Sequence, residues 1–344
     1  MIEIIKEKEK WDNIVKKCDF AEFYHTYDYH HAAKAKGEEP ILIHYTENGK
    51  SVVLPLLIRN IDLSIYKDAT SVYGYPGPIT NDTPSDFNIC LFQKELNQCF
   101  KEQKIISVFS RLNSFIPYQE SCLLKMGVTE TLGRVVYIDL DETLDVQWKL
   151  YNRRLRTYIN KSRTIYKIKN TDIPADLDTF IDLYYENMKR VNANKEYFFD
   201  KKYFLDLINS SEFETEVLLA ISIKTGEVAG GAMFIKKNKI IQYHLSGTGE
   251  RYLDLNPIKL LIDEMRIRGK QENYSYLNLG GGVGAKEDSL FYFKSGFSKY
   301  TLPFKVWKYK VNRNIYDNLV QQSKDIRYCE ETLRYFPRYR VNKL

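Results

Sequence analysis

Short helical and strand-like patterns alternate along the whole sequence, and this alternation constrains the fold more than any other feature. Apolar residues recur at helical spacing over 86–103 and 257–268, whereas 51–58 and 228–236 have the apolar runs of buried strands. Helices that alternate with strands at short intervals are typical of α/β and α+β proteins. We therefore predict a mixed α/β fold.

The chain is long enough for two domains. Its 344 residues correspond to about two domains of ordinary size, at roughly 150 residues each. We find no internal sequence repeat. The natural boundary is Leu140, where a predicted strand ends just before a long helical pattern over 143–167. The sequence therefore predicts two α/β domains that meet near residue 140.

The composition and the short sequence motifs predict a soluble cytoplasmic protein that binds no metal. The longest apolar run, Val52–Ile58, is far shorter than the ~20 residues that a membrane span needs. The N-terminus has acidic residues and no apolar core of a secretory signal. The five cysteines form no CxxC pair and the five histidines no HExxH motif, so neither a disulfide framework nor a zinc site is expected.

The positive charge is concentrated in one segment. Residues 149–169 contain eight lysines and arginines and no acidic residue, although the net charge of the whole chain is only +6. On a helical wheel five polar residues of this segment fall within about 80°; they are Arg153, Arg156, Asn160, Arg163 and Lys167. This stripe is either a solvated helix face or an anion-binding surface for RNA or a nucleotide-linked substrate.

The glycine-rich segment Gly280–Gly284 follows a predicted strand and precedes a predicted helix. It does not match a P-loop, because Ala285 and Glu287 occupy positions that need glycine and Ser/Thr. It also lacks the third glycine of a dinucleotide-binding turn. The segment is therefore either a structural turn or the edge of a ligand site.

An ordered series of motifs fills the region between residues 241 and 304. They are Tyr243-His244-Leu245-Ser246-Gly247-Thr248, Leu260-Leu261-Ile262-Asp263-Glu264, Leu277-Asn278-Leu279-Gly280-Gly281-Gly282 and Phe293-Lys294-Ser295-Gly296-Phe297. Met188-Lys189-Arg190 and Tyr75-Pro76-Gly77-Pro78 add further matches. The series resembles the FemABX family, aminoacyltransferases that build peptidoglycan interpeptide bridges, within the GNAT acyltransferase superfamily.

The resemblance implies a tandem pair of GNAT-like subdomains, at 1–140 and 141–311, with 312–344 packing back on the first. It places Lys294 and Phe293 at the catalytic centre, where a lysine cation suits a developing negative charge. Without the motif, Lys294 reads as a surface lysine and Phe293 as a core residue. The substrate-binding residues implied by the resemblance are Tyr75, Asn81, Arg190, Tyr243 and Gly282, and the RNA-binding residues of the stripe are Arg153, Arg156, Arg163 and Lys167. Asn81 replaces the aspartate that the family usually has in GPxxD.

The donor implied by the resemblance is a charged tRNA rather than acyl-CoA. Residues 250–256, where GNAT enzymes have a glycine-containing pyrophosphate loop, contain two acidic residues and no glycine. We therefore expect a cytoplasmic, cofactor-independent N-acyltransferase that moves an aminoacyl group from tRNA to an amine of a peptidoglycan or other cell-envelope precursor. A nucleotide- or lipid-linked acceptor would bring it to the membrane surface only peripherally. The alternatives are an acyltransferase with an acyl-CoA or carrier-protein donor, and a non-catalytic GNAT scaffold that binds an anionic ligand.

Overall fold

The computed structural model describes residues 1–81, 88–171, 173–323 and 335–343. The chain forms two compact units, Met1–Leu132 with Phe304–Leu344 and Gly133–Pro303. The sequence-based boundary at Leu140 coincides with the end of a strand, whereas the contacts divide that strand between Leu132 and Gly133. Helices and strands alternate in both units, which confirms the mixed α/β class.

The elements up to residue 139 supply most of the first unit. In chain order they are β1 (Ile2–Ile5), α1 (Lys8–Val15), α2 (Tyr27–Ala33), β2 (Glu38–Glu47), β3 (Lys50–Asn60), β4 (Lys67–Thr70), β5 (Ile79–Thr80), α3 (Ile89–Glu102), β6 (Ile105–Arg111), α4 (Gln119–Leu123) and β7 (Val128–Asp139). The Asn48-Gly49 turn between β2 and β3 has positive φ at both residues, as expected for a tight hairpin.

The remaining elements supply most of the second unit. They are α5 (Leu144–Leu150), α6 (Arg153–Ile165), β8 (Tyr166–Asn170), α7 (Pro174–Arg190), α8 (Lys201–Ile208), β9 (Glu214–Ser222), β10 (Val228–Lys237), β11 (Ile240–Thr248), α9 (Pro257–Gln271), β12 (Tyr276–Gly280), α10 (Ser289–Ser295), β13 (Thr301–Lys310) and α11 (Arg313–Gln322). A 3-10 turn, Glu250–Leu255, connects β11 to α9.

Both units contain the same succession of elements. Three antiparallel strands, β2–β3–β4 in the first and β9–β10–β11 in the second, precede a helix, α3 or α9. A strand parallel to the third follows, β6 beside β4 and β12 beside β11. This shared topology is a structural repeat that leaves no readable trace in the sequence.

The strand that completes each sheet comes from a distant part of the chain. β6 pairs antiparallel with residues 306–310 of β13, and β12 pairs antiparallel with residues 136–139 of β7. The first unit is therefore built from two separate stretches of chain, whereas the second is continuous.

Each unit has its own apolar core. Buried residues of the first core include Leu54, Phe100 and Trp307, and those of the second include Phe234 and Leu261. In the second unit α7 lies directly on the sheet, because a Cβ added at Gly247 would stand 2.4 Å from the Leu183 carbonyl group.

The basic segment is not one helix. α5 ends at Leu150, and α6 begins at Arg153 with Asn152 as its N-cap, whose Oδ1 accepts a hydrogen bond from the Leu155 N–H at 2.7 Å. The Asn152 N–H also donates to the Gly296 carbonyl, at 2.9 Å. The prediction of a single helix over 143–167 was therefore wrong, because an apolar pattern with helical spacing continues across the break.

Candidate functional site

Lys294 lies near the end of α10 and is buried, with 8% of its surface exposed. Its Nζ donates a hydrogen bond to the Gly281 carbonyl oxygen at 2.6 Å. Burial lowers the pKa of Lys294 to about 8, against the opposing attraction of Asp288. The interpretation of Lys294 as a surface lysine is therefore wrong for its placement, whereas its catalytic role stays a prediction.

The glycine turn holds the carbonyl group that Lys294 contacts. Gly280 has φ +76°, and its N–H donates to the Asn278 side chain at 2.9 Å. A Cβ at Gly281 would stand 2.8 Å from the Arg134 carbonyl oxygen, and one at Gly282 would stand 2.1 Å from that of Lys286. Side chains at these two positions would therefore displace the turn, so glycine is required for close approach of backbone to backbone.

Asp288 fastens the turn to α10. One carboxylate oxygen accepts the Phe291 N–H at 2.9 Å as the helix N-cap, and the other accepts the Val283 N–H at 3.0 Å. Burial alone would raise the pKa of Asp288, but these backbone donors hold it below its ordinary value. Sequence reasoning missed Asp288, although an aspartate before a short helix is a recognisable capping signal.

Phe293 contributes packing beside this lysine. Its half-buried ring lies 5.6 Å from the ring of Phe297, centroid to centroid, and contacts the apolar core of the second unit. The arrangement matches the core reading of Phe293, and its assignment to the catalytic centre stays a prediction.

The sheet of the second unit opens beside the glycine turn. Within β11 and β12 the parallel pairing ends at Gln242 and Asn278. Tyr243 is the next residue of β11, and Gly280 is the last residue of β12. The Tyr243 hydroxyl hydrogen-bonds with Ser246, and burial raises the pKa of Tyr243 to about 12. Tyr243 thus lies where the strands separate, on the edge that leads to the turn of Gly281.

His244 is the extra residue of a bulge between β10 and β11, since the register shifts between Met233 and Phe234. Its Nε2 lies 2.7 Å from the hydroxyl of Tyr203 on α8, and burial lowers the pKa of His244 to about 3. The imidazole is therefore neutral at physiological pH. A sequence cannot reveal this pair, because strand bulges have no simple residue pattern.

Tyr75, a predicted site residue of the first unit, lies in a loop that several side chains contact. The Tyr75 ring lies 5.7 Å from that of Tyr24 and 5.3 Å from that of Phe304, centroid to centroid. The following carbonyl, that of Pro76, accepts a hydrogen bond from the Gln119 side chain at 2.8 Å and lies 2.7 Å from Nε2 of buried His25. These contacts fix the loop that carries Tyr75.

Asn81 has a structural role in the first unit. Its Oδ1 accepts the Ser51 N–H at 2.7 Å, and its Nδ2 donates to the Gly49 carbonyl at 3.2 Å. Both amide atoms therefore bind the β2–β3 hairpin. Arg190, in the second unit, is exposed at the end of α7 and hydrogen-bonds to Asn187.

The structure separates the members of the basic stripe. Arg153 and Arg156 lie on α6, but Lys167 lies on β8, the outermost strand in the sheet order of the second unit. The Arg163 guanidinium contacts the buried Asp263 carboxylate at 2.7 Å. Arg163 is therefore part of an ion pair, and the prediction of one continuous helical face from Arg153 to Lys167 was wrong.

The loop before α9 is acidic. A pocket of about 570 Å³ is bordered by Glu186, Glu227, Glu250 and Arg251. The Glu250 N–H donates to Glu186 at 2.7 Å, so a carboxylate already occupies a backbone donor of this loop. Negative charge at this position disfavours a pyrophosphate ligand.

The described part of the chain shows neither a helix that meets the length and hydropathy of a membrane span nor a group of metal-ligating side chains.

No known protein family and no curated protein matches the sequence.

Solved structures are similar in fold at low sequence identity. FemX is 12% identical, with a TM-score of 0.72 over 92% of this chain and 99% of that chain. L-PGS from Bacillus licheniformis is 13% identical, with a TM-score of 0.61 over 90% and 93%. A tandem GNAT protein from the clavulanic acid biosynthesis pathway is 9% identical, with a TM-score of 0.51 over 91% and 99%. The chain therefore has the fold of FemX and of tandem GNAT proteins, as the sequence resemblance implied.

Proposed function

We propose that this protein is an N-acyltransferase that moves an aminoacyl group from a charged tRNA to an amine of a peptidoglycan or other cell-envelope precursor. The observation that carries the proposal is the buried Lys294 ammonium, held against the Gly281 carbonyl beside the opening between β11 and β12. The fold shared with FemX supports the same reaction class.

The reaction needs no covalent enzyme intermediate. The acceptor amine attacks the ester carbonyl of the aminoacyl group, so that a C–N bond forms and the carbonyl oxygen becomes an oxyanion. Collapse of this intermediate breaks the C–O bond to the ribose. The amine loses a proton overall, and the ribose oxygen gains one. Lys294 stabilises the oxyanion, because its ammonium is desolvated and its charge is not neutralised by the carbonyl that it contacts.

The acidic loop before α9 supports RNA over CoA as the donor. The resemblance assigns the pyrophosphate of CoA to residues 250–256, and the pocket there is bordered by Glu186, Glu227 and Glu250 with Arg251. Repulsion between these carboxylates and a diphosphate weakens such a complex. On this proposal the enzyme needs no cofactor and works in the cytoplasm, where it meets charged tRNA and a nucleotide- or lipid-linked acceptor.

The donor is tested with two labelled substrates. Purified protein is incubated with envelope precursors and either total tRNA charged with labelled amino acids or labelled acetyl-CoA. We expect transfer from charged tRNA only. The Lys294→Met variant serves as the matched control, and we expect it to transfer far less. Transfer from acetyl-CoA alone would replace this proposal with a CoA-dependent acyltransferase. Transfer from neither donor to any precursor would favour a non-catalytic scaffold.

A further inference from the structure

A second cationic surface of the second unit lies where α6 meets α9. Ser162 on α6 donates a hydrogen bond to the Leu255 carbonyl, two residues before α9, at 3.2 Å. Buried Leu155 and Ile159 of α6 belong to the same core as Leu261 of α9. The relative position of the two helices is therefore set by packing.

Two cations converge there on one aromatic ring. The Arg154 guanidinium donates to the Tyr158 hydroxyl from Nε at 3.1 Å and from Nη2 at 2.9 Å. The Lys259 Nζ stands 4.0 Å from the centroid of the same ring. One cation on a tyrosine is favourable, but a second like charge nearby is repelled by the first.

The convergence is not compensated by acidic residues. Within the described ranges, no carboxylate oxygen lies within 4.0 Å of Arg154 or Lys259. Burial and the charge of Arg154 lower the pKa of Lys259. Lys236 of the same unit is different, because Glu214, Glu216 and Glu272 all contact its ammonium.

The helix ends add to the positive potential. Arg154 lies in the first turn of α6 and Lys259 in the first turn of α9, and neither first turn contains an acidic residue. A lysine or arginine is disfavoured at the positive end of the helix dipole, where anions bind well. The repulsion between the two cations and the two helix N-termini therefore all favour a bound anion at this place.

We infer that Arg154, Tyr158 and Lys259 form a phosphate-binding site for the RNA strand of the donor. The site rests on the proposed function, since that function supplies the RNA. Lys161 follows Arg154 by seven residues, so it lies on the same side of α6 and extends the positive charge along the helix, which suits a strand of successive phosphates better than a single small anion.

The test measures binding of uncharged tRNA to the full chain by fluorescence anisotropy at several salt concentrations. The variants are Lys259→Met and Arg154→Gln. Lys270→Met is the matched control, because it makes the same change on the same helix about 16 Å away. We expect each site variant to lower the log–log salt slope by about 0.7–0.9 and to weaken binding about five- to eightfold at 0.1 M salt. The control should bind like the unaltered protein.

A charge reversal checks that the effect is not misfolding. Lys259→Glu should pair with Arg154, so we expect an unchanged or higher Tm together with loss of tRNA binding. Site variants that bind tRNA as tightly as Lys270→Met would overturn the inference, as would an unaltered protein that binds no tRNA. Binding that depends on Arg154 and Lys259 without aminoacyl transfer would contradict the proposed function and leave this site supported. Aminoacyl transfer by the unaltered protein, together with unchanged tRNA binding by the site variants, would support the proposed function and contradict this site.

Discussion

The Lys294 ammonium meets a carbonyl oxygen rather than a carboxylate. A carbonyl satisfies one donor of the ammonium but leaves its positive charge available. A carboxylate would neutralise that charge and stabilise the resting enzyme instead of the transition state. At the residue scale, the proposed chemistry therefore rests on a cation that is buried, oriented and not neutralised.

Replacing Lys294 separates its charge from its packing. Lys294→Met keeps most of the apolar stem, so we expect a folded protein whose kcat falls about 10²–10³-fold, as for loss of one oxyanion-stabilising group. Lys294→Arg should restore little activity, because a planar guanidinium does not match a site built for a compact ammonium. Steady-state kinetics with a verified acceptor, beside circular dichroism, make the comparison. A Met variant with unaltered kcat would limit Lys294 to a structural role.

The pKa of Lys294 predicts a pH dependence. Activity that needs the ammonium should fall as pH rises through about 8, the value to which burial lowers this pKa. The effect on stability has the opposite sign. The unfolded state binds more protons than the folded state between this value and the ordinary lysine pKa, so the unfolding free energy of the parent protein rises with pH relative to that of Lys294→Met. Urea unfolding measures the effect on stability, and kcat measures the effect on activity. Both are followed over about one and a half pH units on either side of this pKa. If the difference in unfolding free energy between the parent protein and Lys294→Met did not change with pH, the pKa shift of Lys294 would be contradicted.

At the element scale, the turn between β12 and α10 fixes where Lys294 lies relative to the Gly281 carbonyl. Gly281 and Gly282 let this turn pass close to other carbonyl groups, and Asp288 ties it to the helix. Lys294 and the carbonyl that it contacts thus belong to one short segment of chain.

A methyl group at Gly282 should disturb this segment. In Gly282→Ala the new Cβ would stand 2.1 Å from the Lys286 carbonyl oxygen, so the turn must shift. We expect a loss of stability of about 1–3 kcal/mol, typical of overpacking, and a lower kcat. Gly226→Ala serves as a control for the assay, since no atom lies within 4 Å of a Cβ there, although its φ of +74° also strains an alanine. Equal kcat for both variants would separate the turn from catalysis.

Helix α6 predicts different outcomes for two of its arginines. Arg153→Gln should lower the salt slope of tRNA binding by about 0.7–0.9 without loss of stability. Arg163→Gln should instead destabilise the fold by about 1 kcal/mol, because Arg163 is half exposed and pairs with buried Asp263. Denaturant unfolding and the salt titration measure both effects in each variant. If Arg163→Gln changed only the salt slope, Arg163 would belong to the RNA-binding surface after all.

The sequence predicted β3, α3, β10 and α9, because their apolar patterns are long. It did not predict β1, α1, β4 or α11, which are short or have weak patterns. The break at Asn152 was missed because helical spacing continues on both sides of it. The pairing of Arg163 was missed because Asp263 is distant in the sequence and meets it only after α6 packs on α9.

At the scale of the whole molecule, the two units differ in how the chain builds them. The second unit is the continuous segment Gly133–Pro303, whereas the first needs Phe304–Leu344 as well as Met1–Leu132. Trp307 of this returning segment is fully buried, and its indole N–H donates to the Met126 carbonyl. A cut at the sequence-based boundary therefore removes core residues of the first unit.

Fragments test this division. We expect the fragment 133–303 to fold alone. The fragment 1–140 should aggregate or stay unfolded, because β6 then has an unpaired edge and the core lacks the Trp307 side chain. Joining 304–344 to 1–132 through a flexible Gly/Ser linker should restore cooperative unfolding and the fluorescence of a buried tryptophan. A soluble, cooperatively folded 1–140 fragment would show that the returning strand is dispensable.

The return of β13 to β6 also sets an order of events during synthesis. A ribosome releases the chain from its N-terminus, so β6 emerges long before the residues 306–310 that pair with it. All of the second unit is made in that interval and can fold first, at ordinary elongation rates of about 5–20 residues per second. For about ten seconds or more the nascent first unit carries an open strand edge. Until residues 306–310 arrive, this edge can pair with strands of other chains, so we expect faster translation after residue 132 to raise the yield of folded protein.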